Sequence, residues 1–386
     1  MTCFDAIDDF LETGESMLNW HGLNHNHQTP RTRLIVILSF ACFGLANSAA
    51  LGQATSKLPS RVPPSPNVSA VHATSQTKGI GWKRLTEMPE KLGRFQLATD
   101  GKLIYRLGGV GFNIRTGGSY SSQLAVFNPE SESWLPLAEA PFGTGGASVA
   151  YWPSKHSLVA IAGIKKLGEQ FNMDGVTVGV YDITADRWSM QKFACAGLGR
   201  PSWLIHSADG KFLVLTSSHG LGSAENFAEL DLNKSTLRIV SNCPVPGRMV
   251  AVAKHHGTIF IVQSTKHGPD QKRARVHQFD IWADQHVSIV ELQEEFTHVD
   301  ALFVWKDHLM MWKNSGDFDQ NRFQWPTKLI EINCTTGECV ETYAGLPSPQ
   351  ARRSSNGIFC GNAFYIFGGQ REDSIWLQDS YRFDFQ

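Results

Sequence analysis

The stretch RFQLATDGKLIYRLGG, residues 94–109, decides the fold, because it has a near copy, SSNGIFCGNAFYIFGG, at residues 354–369. Each stretch contains two short runs of mainly apolar residues, separated by Asp-Gly or Gly-Asn and closed by a pair of glycines. Two such runs around a tight turn are typical of a β-hairpin. The chain therefore carries at least two copies of one hairpin unit.

Six short segments of alternating apolar residues extend this hairpin into a repeat. Each segment ends in Asp or Asn, and the ends are separated by 49 to 54 residues. An Asp or Asn side chain can accept a hydrogen bond from the backbone two residues on, which closes a tight turn into a further strand. Four antiparallel strands repeated in this way predict a β-propeller. The segments are LAVFN (124–128), VGVYD (178–182), FAELD (227–231), VHQFD (276–280), LIEIN (329–333) and SYRFD (380–384).

The two ends of the repeat array predict how the ring closes. The last unit stops at Gln386, just after its third strand, whereas an additional strand led by Trp82 precedes the first complete unit. Pairing the strand from Trp82 to Leu85 with the C-terminal unit would remove both free sheet edges at once. The sequence therefore predicts an all-β, six-bladed propeller that is closed by its N-terminal strand in the last blade.

These motifs resemble the kelch family of β-propellers. The resemblance lies in the paired glycines of YRLGG and YIFGG, the aromatic-Asx endings VFN, VYD and RFD, and the tryptophans that follow at Trp134 and Trp188. It covers about residues 82–386 and is strongest in the first and last units. The resemblance implies the fold but no single activity, because one fold hosts many functions.

The segment before the propeller predicts export. Arg31 and Arg33 precede an apolar run at 34–46 that small residues follow, which is the order of a secretory signal, and the run is too short to span a bilayer. We expect cleavage near Ser48 to Ala54, with a permanent anchor as the alternative, and a periplasmic or extracellular product without a membrane span. The predicted organisation is an extension and signal at 1–54, a Ser- and Pro-rich linker at 55–80, and the propeller at 81–386.

Composition argues against nucleic acid as a partner. The chain has 35 Lys and Arg against 36 Asp and Glu, a formal net charge of -1, and therefore no overall positive field. No zinc-binding motif, phosphate loop or nucleophile elbow is present, so we predict neither a metal nor another cofactor. We expect a monomer.

Loop lengths predict which face of the propeller binds a ligand. In an antiparallel blade, the loop that enters the first strand and the loop between the second and third strands lie on one face, here called the loop face. The other two turns lie on the opposite, turn face. The sequence concentrates its long loops on the loop face, and binding groups are concentrated on loops that a rigid scaffold holds. The long loops are 109–121, 164–175, 264–275 and 313–326.

Basic residues recur where the chain enters the first strands, at the loop face. Arginine binds carboxylates through two parallel hydrogen bonds and keeps its charge, and the kelch resemblance implies that such arginines line the mouth of the central channel. We predict that this set binds an acidic ligand; the alternative is that each arginine pairs with an acidic neighbour. The predicted ligand-binding residues are Arg94, Arg200, Arg248, His298, Arg352 and Arg353.

Three functional hypotheses follow from this set. The first is a non-catalytic module that recognises an acidic peptide or glycan. The second is a sugar-acid epimerase or mutarotase of the sialic-acid type, in which Arg248, His298 and Arg353 would be the candidates for acid–base work. In the third, the channel is inert and the sides of the propeller serve assembly. No catalytic residue can be assigned from the sequence.

Two cysteines flank a predicted tight turn in the fifth unit. Cys334 and Cys339 enclose Thr-Thr-Gly-Glu, a spacing that brings facing strand residues close together. In an oxidising, exported compartment this pattern predicts a disulfide across the hairpin; the alternative is a pair of reduced, partly buried thiols.

Overall fold

The structure is a computed structural model, and all described residues belong to one compact unit that covers Val68–Gln386. The predicted signal and linker, 1–80, lie outside the described residues. At positions 217, 242, 248–250, 264–267, 271–274, 285–290, 313, 328 and 341–342 only the backbone is described. The structure describes residues 81–111, 120–166, 169, 175–217, 226–242, 248–255, 257–267, 271–280, 285–292, 299, 301–313, 328–334, 336, 338–342, 355–370 and 375–385.

Twenty-four β-strands make up the described fold. In chain order they are β1 Trp82–Arg84, β2 Gln96–Thr99, β3 Ile104–Leu107, β4 Leu124–Asn128, β5 Ser133–Leu137, β6 Gly143–Trp152, β7 Ser157–Gly163, β8 Gly175–Asp182, β9 Arg187–Ala194, β10 Arg200–Ala208, β11 Lys211–Ser217, β12 Asn226–Asp231, β13 Thr236–Asn242, β14 Arg248–His255, β15 Thr258–His267, β16 Gln271–Asp280, β17 Gln285–Leu292, β18 Ala301–Trp305, β19 His308–Lys313, β20 Lys328–Asn333, β21 Cys339–Thr342, β22 Asn356–Cys360, β23 Ala363–Phe367 and β24 Ser380–Asp384.

The strands form six antiparallel four-stranded sheets, which confirms the predicted six-bladed propeller. Five sheets contain four strands that are consecutive in the chain, from β2-β3-β4-β5 to β18-β19-β20-β21. The first strands of neighbouring blades contact one another, as β2 does with β6 and β22, and apolar clusters fill the spaces between blades. The ring is therefore held together by burial of apolar side chains between sheets.

The sixth sheet closes the ring as the sequence predicts. Its order is β1-β24-β23-β22, so the N-terminal strand supplies the outer position, with Trp82 opposite Phe383. Trp134 and Trp188 occupy the same register position in blades 1 and 2, opposite Phe127 and Tyr181. Trp82 therefore occupies the same repeat position as Trp134 and Trp188. The closing strand ends at Arg84, one residue before the predicted end at Leu85.

Trp82 also joins the last blade to the blade before it. Its ring lies 4.8 Å from that of Trp312 in blade 5 and 5.2 Å from that of Phe383 in blade 6. Only 7% of Trp82 is exposed, and Trp312 is fully buried. One side chain from the N-terminal strand thus packs on two blades.

The Asp and Asn residues that end the third strands of blades 1 to 3 close turns as predicted. The side-chain oxygen of Asn128 accepts a hydrogen bond of 2.8 Å from the Glu130 backbone, and that of Asp182 one of 3.0 Å from the Thr184 backbone. Asp231 accepts instead from the residue three positions on, Lys234, at 3.0 Å. These bonds fix the turns into the fourth strands.

The segment 264–275, predicted as a loop, is β-sheet over most of its length. Strands β15 and β16 remain paired from Gln263 opposite Arg275 as far as His267 opposite Gln271. Alternating short polar and basic residues without a bulky apolar pattern gave no strand signal in this segment. Continued pairing nevertheless satisfies the backbone N–H and C=O groups of both strands, so the hairpin extends past the blade.

The predicted disulfide between Cys334 and Cys339 remains a prediction. Both residues are half-buried beside one apolar cluster of blades 4 and 5, but the register places Cys339 opposite Ile332, so the two cysteines are offset along the hairpin. Burial raises the pKa of the Cys334 thiol, which disfavours the thiolate needed for exchange. Cys360 is 4% exposed and belongs to the core.

Within the part of the chain that the structure describes, no helix has the length and apolar character needed to cross a bilayer.

The closure predicts a large effect of Trp82→Ala on stability. The substitution removes a buried ring that packs on two blades, so we expect the free energy of unfolding to fall by about 3–5 kcal/mol. Urea unfolding of the full chain, followed by tryptophan fluorescence and circular dichroism, measures it.

Leu135→Ala is the matched control, because Leu135 lies on an outer strand with 59% of its surface exposed. This truncation should change the stability by less than about 0.5 kcal/mol. Equal effects of the two substitutions would contradict the role of Trp82 in closure.

Candidate anion-binding site

The predicted arginines occupy equivalent positions in the blades where the structure describes them. Arg200 pairs with Ser217 and Arg248 with Ser264, so both stand at the same register point of their sheets. The pairing of Gln96 with Leu107 and of Gly93 with Val110 brings Arg94 to the corresponding point of blade 1. The spacing in the sequence thus identified one recurring position at the loop face.

The other predicted residues lie where less is described. Only the backbone of Arg248 is described. His298, Arg352 and Arg353 lie outside the described residues. The site that can be built from side chains is therefore formed by blades 1 to 3.

Strands β10 and β14 are irregular directly after their arginines. The register shifts between Pro201 and Trp203 in β10 and between Met249 and Ala251 in β14. A bulge turns the strand locally and changes the direction of neighbouring side chains. The same irregularity at two equivalent positions indicates that the backbone around these arginines is built alike in blades 3 and 4.

Arg94 is held in an unusual backbone conformation. Its φ of +53° lies in the left-handed region, which residues other than glycine seldom adopt. The flanking residues enforce it: Gly93 and Val110 exchange backbone hydrogen bonds of 3.0 and 2.8 Å, and Phe95 is 1% exposed. A strained backbone conformation persists only where the neighbouring residues hold it in place. Such conformations are concentrated at functional sites.

The charges of Arg94 and Arg200 both act on the side chain of Tyr120. Tyr120 belongs to the loop between β3 and β4, and its backbone N–H donates to the carbonyl of Lys165 in blade 2 at 3.0 Å. The charges of both arginines act on its phenol and favour ionisation, but burial outweighs them and raises the pKa of Tyr120. The phenol is therefore a neutral O–H group on which the charges of one arginine from blade 1 and one from blade 3 act.

A glycine makes room for the Tyr120 ring. A Cβ atom on Gly145 would lie 2.4 Å from the Cε2 atom of Tyr120, closer than any side chain allows. Gly145 in turn exchanges two backbone hydrogen bonds of 2.9 Å with Ile164. The ring thus lies against the start of blade 2. Its position requires a residue without a side chain at 145, which is why glycine is needed there.

Arg200 is poorly solvated. Burial lowers the pKa of its guanidinium to about 10, and the nearby Tyr120 opposes that shift. The group remains charged at neutral pH, but it is held where water is scarce and where attraction to an anion is stronger than in bulk solvent. We call Arg94, Tyr120 and Arg200 the arginine–tyrosine site.

A buried arginine supports the loop that carries Tyr120. The side chain of Arg106 is fully buried, and its guanidinium donates to the Gly108 carbonyl at 3.3 Å and to Oε1 of Gln123 at 3.2 Å. Its Nη1 also lies 3.6 Å from the carboxylate of Glu90, which accepts a hydrogen bond of 3.3 Å from Ser121. These contacts connect both ends of the loop to the segment that holds Arg94.

The sequence analysis missed both Tyr120 and Arg106. Tyr120 lies in a loop with no repeat signal, and Gly145, Lys165 and Arg200 come from other blades. Arg106 did carry a signal in the sequence. It occupies a strand position at which each of the other five blades has an apolar residue. Those positions are Ala160, Val214, Ile261, Met311 and Ile366.

Among the described residues, no three His, Cys, Asp or Glu side chains are grouped closely enough to hold a metal ion. The arginine–tyrosine site offers two guanidinium groups and one phenol, which are groups suited to binding an anion.

Comparison with known proteins supports the fold. No family model matches the chain, and no curated protein matches it in sequence. A solved structure titled "Structure of YjhT" is similar with a TM-score of 0.52 and 15% sequence identity, over 77% of this chain and 96% of that one. At this identity the likeness concerns the fold, and it extends over nearly the whole of the compared structure.

Arg106→Met tests the support beneath the site. Methionine occupies the equivalent position in blade 5, so the fold accommodates it, but the Gly108 carbonyl and Gln123 would lose their donor. We expect the free energy of unfolding to fall by about 1–3 kcal/mol, because buried acceptors remain unsatisfied. Urea unfolding of the full chain measures the change.

Ile366→Met is the control, since it alters a buried side chain at the equivalent position of blade 6 without removing a donor. It should cost less than about 1.5 kcal/mol. If Arg106→Met proved as mild as this control, the hydrogen-bonded network would not stabilise the loop.

Proposed function

We propose that this protein is an exported recognition module of kelch type that binds an acidic glycan or peptide at its loop face. The observation that carries the proposal is that the charges of Arg94 and Arg200, from two blades, both act on the phenol of Tyr120. Two fixed cations and one neutral O–H donor suit a carboxylate, whose two oxygens accept several charge-assisted hydrogen bonds.

The form of the propeller favours a ligand held at a fixed place. Arg94 is confined by the bridge between Gly93 and Val110, Tyr120 by its contact with Gly145, and Arg200 by the start of β10. Groups that are already ordered lose little conformational entropy on binding, so more of the interaction energy remains as affinity. Export is proposed from the basic and apolar order of residues 31–54, and kelch type from the glycine and tryptophan motifs.

A sugar-acid epimerase or mutarotase is the second candidate. Such an enzyme needs a group that gives and takes protons near neutral pH. Burial raises the pKa of Tyr120 further above neutrality, so its phenol is suited to donating a hydrogen bond rather than to accepting a proton as a general base. The raised pKa of Tyr120 therefore favours recognition over catalysis.

Arg200→Ala tests the binding proposal. The probes are N-acetylneuraminate, galacturonate and a glutamate-rich peptide, titrated against the full chain by calorimetry. Loss of one charge-assisted contact in a poorly solvated site should weaken binding of the acidic probe by about 10- to 100-fold. Galactose, which lacks the carboxylate, should not bind measurably.

Arg187→Ala is the matched control, because Arg187 is an exposed arginine that begins β9 directly after a turn on the opposite face. It should leave the affinity unchanged. Binding that survives Arg200→Ala but is lost in Arg187→Ala would move the site to the other face and refute the proposal.

Tyr120→Phe distinguishes recognition from catalysis. The phenylalanine ring retains the packing on Gly145 and removes only the O–H group, so a binding role predicts about a 5- to 10-fold loss of affinity. The rate at which N-acetylneuraminate anomers interconvert, followed by proton NMR, should be the same with and without the protein. A clear acceleration that Tyr120→Phe abolishes would establish the enzyme instead.

A further inference from the structure

The innermost strand of blade 3 bulges at its turn-face end. Strand β10 pairs with β11 as far as His206 opposite Phe212, and the register then shifts so that Ala208 lies opposite Lys211. Ser207 is the additional residue, and its hydroxyl donates to the carbonyl of Lys211 at 3.0 Å. Among the described pairings of first with second strands, only this one is irregular at the turn face; those of blades 2 and 4 are irregular near the loop face.

A lysine of blade 4 binds the backbone at this bulge. The ammonium group of Lys254, in β14, donates to the carbonyl of His206 at 2.7 Å and to that of Ser207 at 3.3 Å. A bulge disrupts the ladder of backbone hydrogen bonds, so carbonyls at a bulge need another donor. One side chain of blade 4 therefore stabilises the end of β10. We call the Lys254 ammonium group with these two carbonyls the bulge contact.

Blade 2 holds the same end of β10 from the other side. The carboxylate of Asp209, in the turn after β10, accepts a hydrogen bond of 2.9 Å from the indole N–H of Trp152 and another from the hydroxyl of Ser154. The Trp152 ring also packs edge-on against Phe212, with ring centres 5.9 Å apart. The turn-face end of β10 is thus connected to both neighbouring blades.

The imidazole of His206 lies at this end with one ring nitrogen unpaired. Its Nε2 atom is closed to water and has no hydrogen-bond partner among the described residues, and its ring packs edge-on against Phe212 at 5.3 Å between ring centres. A charged imidazole carries a proton on both nitrogens. Charging the ring would therefore bury a donor without an acceptor, which costs free energy. The surroundings favour the neutral ring.

Two charged side chains act on the His206 ring, and their effects oppose each other. The charge of Lys254 disfavours a second positive charge, whereas the carboxylate of Asp209 favours it but already accepts two hydrogen bonds from blade 2. Lys155 acts on Asp209, and the contact from β11 is the uncharged Phe212. Burial first and Lys254 second lower the pKa of His206 below its ordinary value.

We infer that His206 makes the contact between blades 3 and 4 sensitive to acid. When the ring gains a proton, a second cation stands beside the Lys254 ammonium group, the bulge contact weakens and the turn-face end of β10 opens. The inference needs no ligand and goes beyond the proposed function. Strand β10 also begins with Arg200 at the loop face, so the strand that opens carries part of the arginine–tyrosine site.

The direction of the effect follows from the titration of the two states. Because the pKa of His206 is lower in the folded protein than in the unfolded chain, the unfolded chain takes up the proton first. The stability contribution of the neutral ring is therefore complete above the unfolded value of about 6.5 and is lost as the pH falls through the folded value.

Hydrogen exchange of the full-length protein, measured by mass spectrometry at about pH 7.5 and about pH 5.5, tests the inference on either side of the ordinary histidine pKa. After correction for the intrinsic effect of pH, we expect residues 200–212 to lose protection in acid relative to blade 1. This loss should vanish in His206→Gln, whose amide takes up no proton. Lys254→Met, which removes the donor, should lower protection at both pH values and leave a smaller acid response.

His156→Gln is the matched control, because His156 is an exposed histidine of the turn face, with its Nδ1 atom 2.9 Å from the hydroxyl of Tyr151. It should keep the acid response of the unaltered protein. Proton NMR of the unaltered protein gives a second measurement. The ring signal that is missing in His206→Gln should titrate below about pH 6.5.

Three results would overturn the inference. The first is an acid response of residues 200–212 that is absent from the unaltered protein or equal in His206→Gln. The second is loss of the response in His156→Gln as well, which would assign it to the turn face in general. The third is an NMR titration of His206 at or above the ordinary histidine value, and this measurement decides the matter even if a variant does not fold. Affinity for acidic probes plays no part in these measurements, so the inference and the proposed function fail independently.

Discussion

The pairing of β1 with β24 is the contact on which the rest of the propeller depends. Five blades are formed from strands that are consecutive in the chain, but the sixth needs a strand from the other end. Until Trp82 lies opposite Phe383 and packs against Trp312, the last blade has an open edge and the ring can spread. A loop face with a fixed arrangement exists only because this long-range contact forms.

Closure matters for the site because the site is shared among blades. Arg94 and the loop carrying Tyr120 come from blade 1, the surface under the Tyr120 ring from blade 2, and Arg200 from blade 3. No single repeat contains the arrangement. Small changes in the angle between blades would alter how the charges of the two arginines act on the phenol, so the proposed binding would depend on the same apolar packing as stability.

The sequence was sufficient for the ring, whereas the binding site that it predicts stays a prediction. The Asx spacing located all six third strands, and the unpaired N-terminal tryptophan strand identified the closure, because both depend on patterns that repeat along the chain. The arginine positions were predictable for the same reason. Tyr120 was not, since its place depends on contacts with Gly145 and Lys165 in another blade. The extension of β15 and β16 was missed because polar residues without apolar alternation formed strands through pairing alone.

The direction of the closing strand decides how the propeller faces its surroundings. Strand β1 runs antiparallel to β24 and leads into the segment that holds Arg94, so it starts at the turn face. The chain leaves there as well, because the backbone of Phe385 donates to the carbonyl of Asn362, in a turn on that face. A support or partner attached through either end of the ring would thus lie at the turn face and leave the loop face open to the medium.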